Sequence, residues 1–327
     1  MISNKIGEFV YGELLKPIRF SKYNVPSRIL RRAYAAIRIV IINCFDPLVN
    51  VKIRKQYMTM NLSHQLPMYI ASHPYYDTAL PRICTFVKEK LGNLTLIDVG
   101  ANIGDTVSLV SQDVSGKFLC IEADKNYFSL LAKNTKNIEN TVCLNIICSD
   151  GVVSRSDGKR ESALSIIRSK GTAHIIQGNE CNEKLMLHDS CIDEIIEDDT
   201  DFMECNVIKI DTDGYDYKVL RGSDKLLNRT QPVIYFELMP ATLLENKEDP
   251  MSIFDYLERK GYRNVLFYDH VGIPVIKINI AEREYISQLI NYISNKNLIF
   301  DVLSFHDSMK EDFDLFYEKE MGIFSKA

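Results

Sequence analysis

The chain has 327 residues, 46% hydrophobic and 25% charged, with a formal net charge of −5, which suits one large α/β domain with additions, or two domains. The acidic balance argues against a general nucleic-acid binder, which needs a basic face to neutralise phosphates. The eight cysteines contain no CxxC pair and read as reduced thiols in a cytoplasmic protein, several of them small core hydrophobes.

Residues 1–65 read as an irregular, partly helical N-terminal extension. No secretory leader is expected, because Glu8, Glu13 and Lys16 interrupt the first residues. Ala33 to Phe45 is the most apolar early segment; it follows Arg28, Arg31 and Arg32, contains Arg38, and is too short to span a bilayer. It reads either as a docked helix with a solvated basic face or as a surface for peripheral membrane contact through residues 28–45. His64 to Pro81 holds Pro67, Pro74 and Pro81 among Tyr69, Tyr75, Tyr76 and Asp77, the composition of a structured loop. Arg82 to Leu91 has helical spacing and is stopped by Gly92 and Asn93.

Leu94 to Asp105, LTLIDVGANIGD, is a short apolar strand followed by Gly100 and Gly104, spaced as in a strand-to-helix turn. A second strand, Lys117 to Ala123, a helix over 126–137 and a third strand over 141–148 follow. Alternation at this spacing predicts βαβ units and a doubly wound α/β sheet. Residues 149–184 break the rhythm with a polar, glycine-punctuated insertion, read as a hairpin or loop over the sheet near the site. Regularity returns with a helical turn over 191–197, a strand over 206–211, a helix over 217–228 and a strand over 232–237. A helix over 249–260, a hairpin over 265–278, a helix over 282–293 and a strand over 299–305 complete the domain, expected over 66–306. Residues 307–327 form a C-terminal helix.

Ligands of such sheets sit at the carboxyl ends of the parallel strands. Asp98 at the strand end and Asp105 at the helix start put two carboxylates at the mouth. A dinucleotide pyrophosphate prefers a helix start free of acids, whereas an ammonium and a sulfonium suit this charge. S-adenosylmethionine is therefore the first candidate, ahead of a nicotinamide dinucleotide. Glu122, ending the second strand, can accept the ribose hydroxyls. Asp211 and the following Thr212, Asp213, Gly214, Tyr215 and Asp216, with Glu237 on the next strand, gather further acids at the same edge. They can position a cofactor, act as a general base, bind a divalent metal such as Mg, or cap helices. Asp211, Asp213 and His174 are the catalytic candidates; Asp211, Asp213 and Glu237 are the metal candidates. His188 is a weaker base candidate, and no zinc-type histidine pair occurs. Tyr75, Tyr76, Tyr215 and Tyr217 are candidates to stack on a sugar ring.

In order along the chain, IDVGANIGDT (97–106), IEAD (121–124), SD (149–150), CIDEI (191–195) and VIKIDTDGYDYKVLRG (207–222), followed by PVIYFE (232–237), resemble the FkbM family of methyltransferases. HPYYDTALPRI at 73–83 is similar to the segment before the family's first strand. The resemblance covers about residues 70–305. It implies a class I, Rossmann-like methyltransferase fold: a mostly parallel seven-stranded sheet, one strand reversed, helices on both faces. It also implies S-adenosylmethionine-dependent O-methylation of a small-molecule or glycan hydroxyl. By position it assigns Asp98, Gly100, Asn102 and Gly104 to the methionine part, with Asp105 and Thr106 beside them. Glu122 and Ala123 go to the ribose, Ser149 and Asp150 to the adenine, and Asp211 to the reacting methyl. Asp216 departs from the family, which often has glutamate there. A catalytically silent module that keeps the fold and binds glycan or a partner protein is the alternative reading.

Overall fold

The computed structural model describes Lys5 and residues 25–150, 164–169, 172–177 and 189–325. A helix over Val25–Phe45 leads into an antiparallel hairpin of β1 (Leu48–Ile53) and β2 (Gln56–Asn61). This corrects the expectation of irregular chain before residue 65. Its turn, Arg54–Lys55, places Arg54 at φ 53 without the Asn-Gly or Gly-X pair that announces a hairpin. Val49, Val51, Ile53, Met58 and Met60 form its buried side, against Ile103, Leu109, Tyr127 and Leu130. Asn134 clamps the hairpin: it accepts from the Thr59 N–H at 2.8 Å and donates to the carbonyls of Thr59 and Ile103 at 2.9 and 2.8 Å. Within the expected 64–81 loop, Leu66–Ser72 is a helix, with Pro67 in its first turn, where a missing N–H costs nothing.

After a helix over Ala79–Leu91 come β3 (Thr95–Val99), β4 (Lys117–Ile121) and β5 (Thr141–Leu144). The expected third strand is broken, and its end, β6 (Ile147–Cys148), pairs elsewhere. The backbone of the insertion holds an antiparallel hairpin, β7 (Leu164–Ser169) with β8 (Thr172–Gln177), and β9 (Asp189–Ser190) then pairs with β6. The remaining strands are β10 (Val207–Ile210), β11 (Val233–Leu238), β12 (Asn264–Asp269), β13 (Pro274–Asn279) and β14 (Phe300–Phe305). The helix expected over 217–228 is two, Asp216–Arg221 and Asp224–Thr230, divided at Gly222 and Ser223.

The central sheet has the order β13-β12-β14-β11-β10-β3-β4-β5. The run from β11 to β5 is parallel, while β14 is antiparallel to both β11 and β12. This is the expected Rossmann-like sheet with its reversed strand, widened by β13, which pairs antiparallel at the β12 edge. Helices cover both faces. Ile192, Tyr217, Phe254, Ile286 and their neighbours bury one, and Ile83, Phe86, Val107, Phe313 and Phe316 the other. No helix among the described residues is long and apolar enough to cross a membrane. The helix over 25–45 leaves Ile37, Ile39, Val40 and Phe45 exposed, and its Arg38 donates to the Leu62 carbonyl at 2.8 Å.

Candidate active site

The carboxyl ends of β3, β4, β10 and β11 open on one cavity of about 480 Å³. Its tightest wall is the turn after β3. Gly100 adopts φ 80, and a Cβ there would stand 1.7 Å from the Asp211 carbonyl oxygen. Only glycine allows β3 and β10 to end this close together. The Gly100 and Ala101 N–H groups donate to the Ile121 carbonyl at 2.9 and 3.0 Å, so the turn leans on β4. Glu122 then locks it from the side. Its carboxylate accepts from the backbone N–H of Asn102 at 2.8 Å and of Asp124 at 2.6 Å.

Of the expected cofactor residues, Gly100, Asn102, Asp105, Thr106, Glu122, Ala123 and Asp211 line the cavity. Four do not. Asp98 is fully buried behind the wall, its carboxylate 3.1 Å from the Lys209 ammonium, because β3 and β10 bring the two residues into register. Gly104 starts a helix at φ 82, closely packed against Leu131 and Thr135. The Ser149 hydroxyl donates to Asp189 at 2.8 Å, and Asp150 lies 3.4 Å from Arg221. Ile146 and Cys148 occupy the wall where Ser149 and Asp150 were expected.

Asp213 and Glu237 line the cavity with Asp211. Among the described residues no three His, Cys, Asp or Glu side chains are placed to hold a metal ion. Asp216 turns inward and caps its own loop, accepting from the N–H groups of Thr212 and Gly214 at 3.1 and 3.0 Å. The side chain of His174, on β8, and all of His188 lie outside the described residues. Of the tyrosines, Tyr76 lines the cavity. Tyr75 is in ring contact with Phe324, and Tyr215 and Tyr217 are core residues.

Several wall residues were not foreseen. Lys209 lies within the apolar strand VIKI, its Nζ reaching Asp98 at 3.1 Å, Asp211 at 3.3 Å and the Gly100 carbonyl at 3.0 Å. Burial alone would lower its affinity for the proton, but Asp211 and Asp98 carry it well above the ordinary lysine range. A lysine flanked by buried apolar residues was the available signal, since such a charge needs a partner. Asp77 and Tyr235 lie in the stretches 73–83 and 232–237 that resemble the family but were given no cavity role beyond that, and Asp301 came with no signal. Asp77 sits at φ 53 between two helices, and Tyr235 donates to Asp301 at 2.9 Å across β11 and β14.

The cavity is acidic. Asp77, Asp105, Glu122, Asp124, Asp211, Asp213, Glu237 and Asp301 line it, with Lys209 the one lysine or arginine among the described residues. Crowding of like charges away from water favours protonation. Burial first, then the surrounding carboxylates, push Asp213 up to about 8 and Asp301 up to about 7, and Glu237 well above the carboxylate range. Burial likewise raises Glu122 to about 7 against the pull of its two backbone donors. His64, also in the wall, is pushed down to about 4 by burial. The arrangement favours a ligand that brings positive charge.

The family described as Methyltransferase FkbM domain matches residues 98–264, a span from the buried aspartate of β3 to the start of β12. No curated protein matches the chain. Among solved structures, an FkbM methyltransferase from Methylobacillus flagellatus is similar at 15% identity and TM-score 0.30, over 49% of this chain and 37% of that one. A putative caffeoyl-CoA O-methyltransferase from Staphylococcus aureus is similar at 10% identity and TM-score 0.38, over 70% and 83% of the two chains. A Pyrococcus abyssi tRNA (uracil-54, C5)-methyltransferase in complex with S-adenosyl-L-homocysteine is similar at 9% and 0.38, over 79% and 44%. With more than half of its length matched and the strand order of a class I methyltransferase, the chain belongs to the FkbM methyltransferase family.

Proposed function

We propose that the chain is an S-adenosylmethionine-dependent O-methyltransferase that moves a methyl group to a hydroxyl of a sugar, in a glycan or a glycosylated metabolite. The observation that carries the cofactor is the acidic cavity in which Lys209, the one lysine among the described lining residues, is already committed to Asp98 and Asp211. When bound, S-adenosylmethionine supplies a methyl group on a positively charged sulfur. The residues present fit it. Glu122 can accept the ribose hydroxyls through lone pairs its backbone donors leave open. Ile146, Cys148 and Ala123 offer the adenine an apolar wall, and Asp105 and Asp211 face the amino acid end.

The chain's part in the reaction is alignment, water exclusion and acceptance of one proton. The acceptor oxygen attacks the methyl carbon, the carbon–sulfur bond breaks toward sulfur, and the hydroxyl proton leaves to a carboxylate. Asp211 is the first assignment for that carboxylate and Asp213 the second; His174 is kept as a third. Incubating the protein with methyl-labelled S-adenosylmethionine and a panel of methyl glycosides, read by mass spectrometry, tests the reading. A product one methyl group heavier is expected. No labelled product from any hydroxyl acceptor would leave a binding module.

A further inference from the structure

Past Asp211, away from Glu122, the cavity is walled by β11, β14 and the turn before the helix over 79–91. Asp77 reaches it from that turn at φ 53, a left-handed conformation that residues with a side chain seldom adopt. The turn is tied down regardless. Arg54 donates to the Tyr76 carbonyl at 2.8 Å, and the Thr78 hydroxyl to the Tyr75 carbonyl at 2.6 Å. Asp301 is fixed by the Tyr235 hydroxyl. Glu237, beside Asp301 in the β11–β14 register, keeps its buried Oε2 without a hydrogen-bond partner. Among the described residues no lysine or arginine pairs with any of these three acids, since Lys209 reaches only Asp98 and Asp211. The rings of Tyr76 and Tyr235 stand in the same wall.

Three carboxylates held at one end of a cavity, one with an orphaned buried oxygen and, among the described residues, none in a direct ion pair, with Lys209 acting on Asp77 and Asp301 only from a distance, are costly to keep unless a ligand completes them. Sugar hydroxyls alone would supply hydrogen bonds but no charge. An ammonium supplies both, and aromatic faces attract it further. We infer that this end of the cavity is a subsite for an acceptor bearing a protonated amine near the hydroxyl it offers, an amino sugar being the simplest such molecule, with Asp77, Glu237 and Asp301 as its counter-charges. The inference rests on the proposed reading only in taking the occupant to be the methyl acceptor. Burial raises the proton affinity of all three acids.

The test is calorimetric titration of the full chain, saturated with S-adenosylhomocysteine, with the methyl glycosides of glucosamine, N-acetylglucosamine and glucose at pH 7. The amine is expected to bind at least ~10-fold more tightly than the other two, the scale of one charge-assisted hydrogen bond. Asp77→Asn and Asp301→Asn should each remove most of that preference while leaving S-adenosylhomocysteine affinity within about 2-fold of wild type. If Asp301→Asn fails to fold, Asp77→Asn, in a turn outside the central sheet, decides. Equal binding of the three glycosides, no binding of any, or a preference that survives in both variants overturns the inference while the cofactor reading stands. Failure of S-adenosylhomocysteine itself to bind overturns both.

Discussion

The two ends of the cavity are built from different kinds of sequence. The Glu122 end comes from one short turn, Gly100 to Thr106, and the end of the adjacent strand, with the Asn102 N–H of the turn and the Asp124 N–H after the strand both bonded directly to Glu122. The Asp301 end draws on residues more than two hundred positions apart, Asp77, Tyr235 and Asp301, which meet only because β14 runs backwards beside β11. Local backbone geometry makes the first end, and long-range strand pairing makes the second. Lys209, between β3 and β11, touches elements of both sides.

Removing that lysine should do the most damage. Lys209→Met leaves Asp98 buried and unpaired and should cost ~3–5 kcal/mol in denaturant unfolding; Asp98→Leu added to it should recover part of the loss. Gly100→Ala attacks the Glu122 end alone. With a positive φ and a Cβ overlapping the Asp211 carbonyl, it should cost about 3 kcal/mol, measured the same way. Asn134→Ala frees the hairpin from the turn and should cost roughly 2 kcal/mol, because it orphans three backbone groups.

Smaller effects separate the two ends. Asp301→Asn should leave S-adenosylmethionine affinity within about 2-fold of wild type by calorimetry, because the residue lies at the opposite end from Glu122. pH should act on both ends. Glu122 and Asp301 are raised to about 7, and Asp216 to about 6, chiefly by burial. The folded chain thus holds protons that the unfolded chain has already released. Between roughly pH 4 and 7 stability should fall as pH rises, seen as a declining Tm that Glu122→Gln flattens in part.

The same division explains what could be read without the structure. The sheet, its parallel run and the Gly100 turn were legible because apolar runs and glycines report local conformation directly. The acids facing the cavity were only half legible. Asp98 and Asp105 both flank the turn, yet Asp98 points to Lys209 instead of the mouth, since register and not spacing decides what a strand-end side chain meets. Ser149 and Asp150 follow the break between β5 and β6, which moves them off the wall. The hairpin over 48–61 alternates correctly, but its arginine-lysine turn gave no sign of itself. Asp301 had no motif to carry it, and Asp77, though inside the family-like stretch 73–83, was not marked there as an acid of the cavity.

The central claim is that the Glu122 end of the acidic cavity receives a cationic adenosyl cofactor. Calorimetric titration of wild type and Glu122→Gln with S-adenosylmethionine at pH 7.5 tests it most directly. Saturable binding by wild type and a loss of at least ~10-fold in the variant are predicted, the scale of losing hydrogen bonds to a charged group. No heat of binding from the folded protein, or a variant that binds as wild type does, would contradict it.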